Sequence, residues 1–466
     1  MGSSRRKVSV YLALLSASWE KLRLHPVRSR AVIRLAYPVA LGMLSITLLN
    51  VVDTAMLGRL GSVYLAAAGI AGVGYFAIVF SIAGIGIGVQ TLVSRRYGEG
   101  NHRHCGEVLN AGLLLALIGG IPLLVAAPWI AEAVSPLLSA DPEVQLLGKT
   151  YLRYRFLAAL FLLTNQVYVG FFNGIGHTKR QLTSAILITG ANILFDYLLI
   201  FGHAGFPRMG VAGAAVASVI ATGIGMIYFT LVGTLGPYRA RYHLYRGIRS
   251  ALSWFGSIFR LSLPVIGQRA LSHGTFFIFF SIVSRIGIGE LAATNILRSV
   301  IGLSLMPAIG IAVAAASLVG QNLGAKDPDK AEGYAWEAAK LAAYLMGSIG
   351  ILFIAIPRQI FLIYTSDAVV ISLGRLPLML LGVVQALGGI GVVLARALQG
   401  AGNTRFVMLA ELVVCTVLYL PMAYLLGVKL GLGITGAWAG ELVYWLFLGV
   451  VMNWKFHQGT WKHINL

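Results

Sequence analysis

The sequence predicts an all-α polytopic membrane protein, with twelve transmembrane helices in two pseudo-symmetric bundles of six. Three observations predict it. The 466 residues are 58% hydrophobic and only 11% charged, where soluble chains carry about a quarter charged residues. Apolar runs near 20 residues recur along the whole chain, each long enough to cross a hydrocarbon core of about 30 Å as a helix. Finally, the chain aligns with itself at an offset of 226 residues. Arg34-Leu35-Ala36-Tyr37-Pro38-Val39 falls on Arg260-Leu261-Ser262-Leu263-Pro264-Val265, Leu65-Ala66-Ala67 on Leu291-Ala292-Ala293, and Gly98 on Gly324. A long internal repeat in an apolar chain implies two bundles with a substrate path between them.

In chain order, residues 1–33 form a basic tail. Its stretch 8–24 alternates apolar faces with Lys21 and Arg23 and reads equally as an extended tail or as a helix lying on the membrane surface. The first bundle, 34–234, holds apolar runs at 34–57, 63–92, 108–133, 150–173, 183–202 and 209–234. Its first helix contains Pro38, whose missing N–H permits a bend. A glycine turn at 174–178 joins helices four and five, with Thr178 placed to cap the next helix. Residues 235–257, rich in glycine, proline and arginine, read as a linker. The second bundle, 258–455, has runs at 258–286, 291–318, 335–357, 367–397, 406–426 and 434–455, with Pro264 and the glycine turn 400–404 before Thr404 as counterparts. Residues 456–466 form the last tail.

The net charge of +20 would suggest nucleic acid in a soluble protein, but its distribution argues otherwise. Arg5, Arg6, Lys7, Lys21, Arg23, Arg28, Arg30 and Arg34 precede the first helix. Arg95, Arg96 and Arg103, then Lys179 and Arg180, then Arg239, Arg241, Arg246 and Arg249 fall on the same side. The opposite side holds Arg59, Asp141, Glu143 and Arg208. This asymmetry predicts a multi-pass inner (plasma) membrane protein with both termini in the cytoplasm. Cys105, expected in a loop on that side, and Cys415, expected inside helix 11, predict no structural disulfide and no metal spacing. There is no phosphate-binding loop and no nucleophile grouped with a histidine and an acid, so the chain reads as a non-enzyme without cofactors.

A carboxylate at membrane depth is costly, and its default reading is functional. Asp53 and Asp196 lie at similar depth in the first bundle, about 28 Å and 24 Å of helix past Arg34 and Arg180. Asn192 and Asp196 share a helix face, Asn50, Asp53 and Thr54 sit on helix 1, and Asn165 lies mid-span in helix 4 between Thr164 and Gln166. No lysine or arginine is expected at that depth in this half. Burying two carboxylates without a cation disfavours both charges, so the pair either holds a proton or binds a cation through nearby oxygens. The repeat is broken here, because Phe279 and Met422 stand where the first copy has its acids. Glu411 and Glu441 in the second copy are either solvated or paired, and Tyr37, Tyr151, Tyr168, Trp438 and Tyr444 either line a cavity or anchor at the interface.

Several segments together resemble the multidrug and toxic compound extrusion family over residues 31–455: Val52-Asp53-Thr54-Ala55-Met56-Leu57-Gly58, Val319-Gly320-Gln321-Asn322-Leu323-Gly324-Ala325, Gln399-Gly400-Ala401-Gly402-Asn403-Thr404, and Asn192 with Asp196. The resemblance implies a V-shaped pair of six-helix bundles. It also implies export of cationic and amphipathic compounds in exchange for protons or sodium ions. Helices 7 and 10 carry Gln268 and Gln385 and no acid, so the pattern is similar to the DinF-like branch, whose coupling acids lie in the first bundle. The expectation is a monomeric proton-coupled antiporter. Asp53, Asp196, Asn192 and Asn165 are its coupling residues, Tyr37, Asn50, Thr54 and Tyr168 line its substrate cavity, and helix 1 bends at Pro38. Two alternatives stay open. One is sodium coupling with Asp53, Asp196 and Asn192 as ligands; the other is a lipid-linked saccharide flippase, for which Arg269 and His273 are the deep basic candidates.

Overall fold

The computed structural model describes residues 23–139 and 141–466. The expected surface helix at 8–24 therefore lies almost wholly outside the described residues. No strand occurs among them, and eleven helices are long and apolar enough to span a bilayer. In order these are α1 (Pro26–Gly58), α2 (Ser62–Gly98), α3 (His102–Val125), α4 (Pro142–Gly174), α5 (Lys179–Phe201), α6 (Val211–Leu235), α8 (Ile288–Gly324), α9 (Pro328–Ala355), α10 (Ala368–Gly400), α11 (Thr404–Lys429) and α12 (Gly433–His457). Between α6 and α8 runs α7 (Phe255–Ser284), equally long but interrupted by Arg260, Gln268, Arg269 and His273. The chain is a polytopic all-α membrane protein.

Most helices outrun their apolar stretches, because a helix continues until a cap or breaker stops it, whatever its hydropathy. Thus α4 begins at Pro142, where Asp141 accepts hydrogen bonds from the amides of Glu143 and Val144, and α9 begins at Pro328 behind an Asp327 cap. The expected cap Thr178 precedes α5 without a side-chain cap bond, and α11 has Asn403, not Thr404, at its cap position. Cys105 is buried inside α3 and not in a loop, because α3 starts already at His102 behind an Asn101 cap.

Three turns of π-helix break the regular ladder, one in α2 (Phe76–Phe80) and two in α11 (Val414–Tyr419 and Leu425–Lys429). The repeat partners of the first two are regular α-helix in α8 and α5, and that of the third is the regular C-terminal end of α5, which stops at Phe201.

At the end that carries both tails, the halves interlock by symmetry. Val32 of α1 is buried in the core of the second half, and its repeat partner Ile258 of α7 in the core of the first. There α2 and α8 cross backbone to backbone: a Cβ on Gly98 would sit 1.8 Å from the carbonyl oxygen of Gln321, and one on Gly324 2.1 Å from that of Arg95. Gln321 is the repeat partner of Arg95, so the two contacts are images of one another. Gln90 Nε2 adds bonds to Val313 O (3.1 Å) and Ser317 Oγ (2.9 Å), Thr91 Oγ1 to Gln399 O (3.0 Å), and Gln321 Nε2 to Gly174 O (2.8 Å). The last tail bridges the same junction. Trp461 is buried in the second half, while Arg95 donates to Ile464 O at 2.8 Å and Arg96 to Leu466 O from the first.

Candidate functional site

Away from that junction, α1, α2, α4, α5 and α6 enclose a cavity of about 190 Å³ lined by Asn50, Asp53, Arg155, Asn165, Gln166 and Asn192 among its polar residues. The helices approach closely where their residues are small: a Cβ on Gly42 of α1 would touch the Ala185 Cβ of α5 at 3.5 Å. Further along the same two helices, one amide meets two acids. Asn192 Nδ2 donates to Asp196 Oδ2 at 2.5 Å and reaches Asp53 Oδ1 at 3.4 Å. Asp196 is fully buried, and its Oδ1 has no hydrogen-bond partner among the described residues. Asn165 completes the wall, giving Nδ2 to Thr222 O of α6 at 2.9 Å and leaving its own buried oxygen unpartnered. The site therefore presents two carboxylates bridged by one amide and the free Asn165 carbonyl oxygen, an arrangement that still accepts a proton or a cation.

Four of the residues singled out from the sequence converge here directly, Asp53, Asn192, Asn165 and Asn50, with Asp196 one hydrogen bond behind. The others go elsewhere. Thr54 is exposed and returns its hydroxyl to Asn50 O at 2.7 Å. Tyr37 is exposed and does not line this cavity. Tyr168 is buried, its hydroxyl bonded to Thr230 and Tyr245. Pro38 lies buried inside α1.

One charge was missed. Arg155 of α4 lines the cavity, its guanidinium 4.9 Å from the ring centre of Tyr75, and forms no ion pair among the described residues. The expectation of no cation at this depth is therefore wrong. Because α4 starts at Pro142 and not at 150, Arg155 lies about 20 Å into the helix. Arg298 and Arg396 were likewise overlooked in the second half, where Arg298 faces an aromatic cavity with Glu411 and Glu441, and Arg396 a smaller one with Arg269.

The MatE family model matches the chain twice, over residues 38–198 and 264–425, which repeats the internal offset. The multidrug resistance protein NorM of Burkholderia vietnamiensis is 30% identical over 434 residues, covering 92% of this chain and 93% of the relative. A probable multidrug resistance protein NorM from Thermotoga maritima is 26% identical over 94% of both chains. Among solved structures, an outward-facing multidrug resistance MATE family transporter of the MOP superfamily superposes with a TM-score of 0.83 at 23% identity, covering 94% of this chain and 98% of that one. A MOP superfamily transporter from Pyrococcus furiosus, described as having a binding pocket of reverse polarity, gives 0.85 at 22% identity over 96% and 98%.

Proposed function

Since the chain belongs to the multidrug and toxic compound extrusion (MatE) family of membrane transporters, we propose that it exports cationic or amphipathic organic compounds in exchange for protons, with Asp53 and Asp196 as the shared binding site. The observation that carries this reading is the bridged carboxylate pair. With both acids ionised and Arg155 charged, the cavity holds one negative charge in excess. One proton or one organic cation cancels it, and each excludes the other. By linkage, competition for that single charge is sufficient to couple the two fluxes. Asn192 serves both states, because its amide donates to an ionised oxygen while the unpartnered Asp196 Oδ1 is free to take the proton.

The excess of basic residues on the tail-bearing face supports a cytoplasmic position for that face at the inner membrane. The interlocked halves then form a cytoplasmic seal, and proton entry and substrate release take place from the opposite side. Pro38, near the seal, is where α1 bends as the acids discharge.

Asp53→Asn should abolish ethidium efflux from cells while the protein still accumulates in the membrane; undiminished efflux refutes the assignment. The same oxygens suit a sodium ion. Uptake into reconstituted vesicles that follows a sodium gradient at clamped pH would replace the proton in this scheme without moving the site.

A further inference from the structure

In the second half, a cavity of about 210 Å³ is lined by Gln268, Arg269, Ser272, Arg396, Gln399 and Glu411. Arg269 Nη1 donates to Phe80 O across the interface at 2.9 Å and stacks over the Phe80 ring. Arg396 Nη1 donates to Gln399 Oε1 at 3.3 Å. Neither arginine forms an ion pair among the described residues. Glu411, the acid at the cavity edge, is already satisfied by neutral donors, Gln268 Nε2 at 2.5 Å and Ser272 Oγ at 2.7 Å. Gln268 in turn accepts from Gln399 Nε2 at 2.8 Å. The amides and the acid are thus engaged with one another, and the groups left over are guanidinium N–H donors. Each guanidinium has five, in a fork that matches carboxylate, phosphate and sulfonate oxygens.

This cavity adjoins the aromatic one, of about 400 Å³, and shares Ser272, Glu411, Tyr444 and Trp445 with it. Phe276, Phe279, Tyr419 and Trp438 supply its apolar walls. Its charged groups partly cancel: Glu441 accepts from Tyr419 at 3.0 Å, while Arg298 lies over the Phe276 ring and His273 stands nearby. The two spaces together are the size of a drug-like molecule. At the positions of Arg269 and Arg396 the first half has Met43 and Gly170, so this arginine pair has no counterpart there.

We propose that Arg269 and Arg396 form a subsite for an anionic group, a carboxylate, phosphate or sulfonate, whose apolar body lies in the adjoining aromatic cavity. The two halves then bind opposite charges, and the second is a site in its own right.

The test is calorimetric titration of the purified full chain, in neutral detergent, with naphthalene-1-sulfonate. Arg269→Gln and Arg396→Gln should each weaken binding between about ten- and a hundredfold, Arg396→Lys should weaken it less, and Arg103→Gln, at an exposed arginine outside both cavities, should leave it unchanged. Thermal unfolding of each variant separates lost binding from lost fold. Equal affinity in wild type and both glutamine variants, with unchanged melting, overturns the proposal; so does an equal loss of binding in Arg103→Gln. Repeating the titration in phosphatidylcholine and phosphatidylglycerol nanodiscs identifies the source of the group. Competition by phosphatidylglycerol that disappears in the glutamine variants assigns the subsite to a lipid headgroup, and binding that persists in both discs assigns it to a soluble compound.

Discussion

Adding one methyl group at the crossing of α2 and α8 should open the tail-bearing end. In Gly324→Ala the new Cβ would lie 2.1 Å from the Arg95 carbonyl oxygen, and in Gly98→Ala 1.8 Å from that of Gln321. Both neighbours are backbone, so no rotamer relieves the clash, and the helices must part by roughly 1 Å, at the 1–3 kcal/mol typical of overpacking. Because the contact exists only while the halves are closed at this end, the cost falls on one state. The closed-to-open ratio should drop by roughly 5- to 150-fold. Gly302, also in α8, has nothing within 4 Å of the place a Cβ would occupy, so Gly302→Ala is the matched control. Spin labels at exposed Arg103 and Lys330, in a background with Cys105 and Cys415 replaced by serine, report the separation of the halves by double electron–electron resonance. Longer distances should gain population in the Gly98 and Gly324 variants but not in the control. An unchanged distance distribution in both would show that the crossing does not hold the closed state.

Three further outcomes follow from packing and charge. Trp461→Ala removes a fully buried ring stacked on Phe456 at 4.6 Å, and should cost about 3–5 kcal/mol of stability, seen as a lower melting temperature in detergent. Lys462, outside the membrane spans, holds the tail to Glu332 and Asp329 at 2.6 and 3.2 Å, and these acids raise it above its ordinary 10.5. Its contribution is therefore fully present below pH 10.5 and is lost as pH rises through the raised value; limited proteolysis of the tail should accelerate only in that alkaline range. Glu337 accepts from His25 N, Ser29 Oγ and Lys340 Nζ at 2.5–2.7 Å while 2% exposed. Glu337→Ala strands those donors and should destabilise by about 3–5 kcal/mol, whereas Glu337→Gln, which keeps acceptor oxygen in place, should cost less by the same melting assay.

What the sequence revealed, and what it hid, follows from the physics of each signal. The repeat, the apolar spans and the paired acids were legible because all rest on residue type at fixed spacing. Asp53 and Asp196 stand out in any apolar run, and Asn192 is tied to Asp196 by one helical turn. Arg155, Arg298 and Arg396 were not legible as cavity residues: each lies inside an apolar run, 150–173, 291–318 or 367–397, and whether it meets a cavity depends on helix rotation and on how far the helix extends beyond the run. Thr54 and Tyr168 were misplaced for another reason. Both lie close to the right residues in sequence, but their hydroxyls are satisfied locally, by Asn50 O and by Thr230 and Tyr245, and that choice depends on helix rotation.

Rotation also limits what the gap-free repeat means. Each residue accommodated by a π-turn turns everything beyond it by about 100°. Glu411, which precedes the π-turns of α11, faces its cavity as its partner Ala185 faces the one in the first half. Beyond Val414 the two helices are out of phase, so Met422 matches Asp196 in number but not in direction. Introducing aspartates at Phe279 and Met422 would therefore not build a second carboxylate pair. The two halves have diverged in helical phase as well as in side chains, and exchanging residues between them cannot undo that.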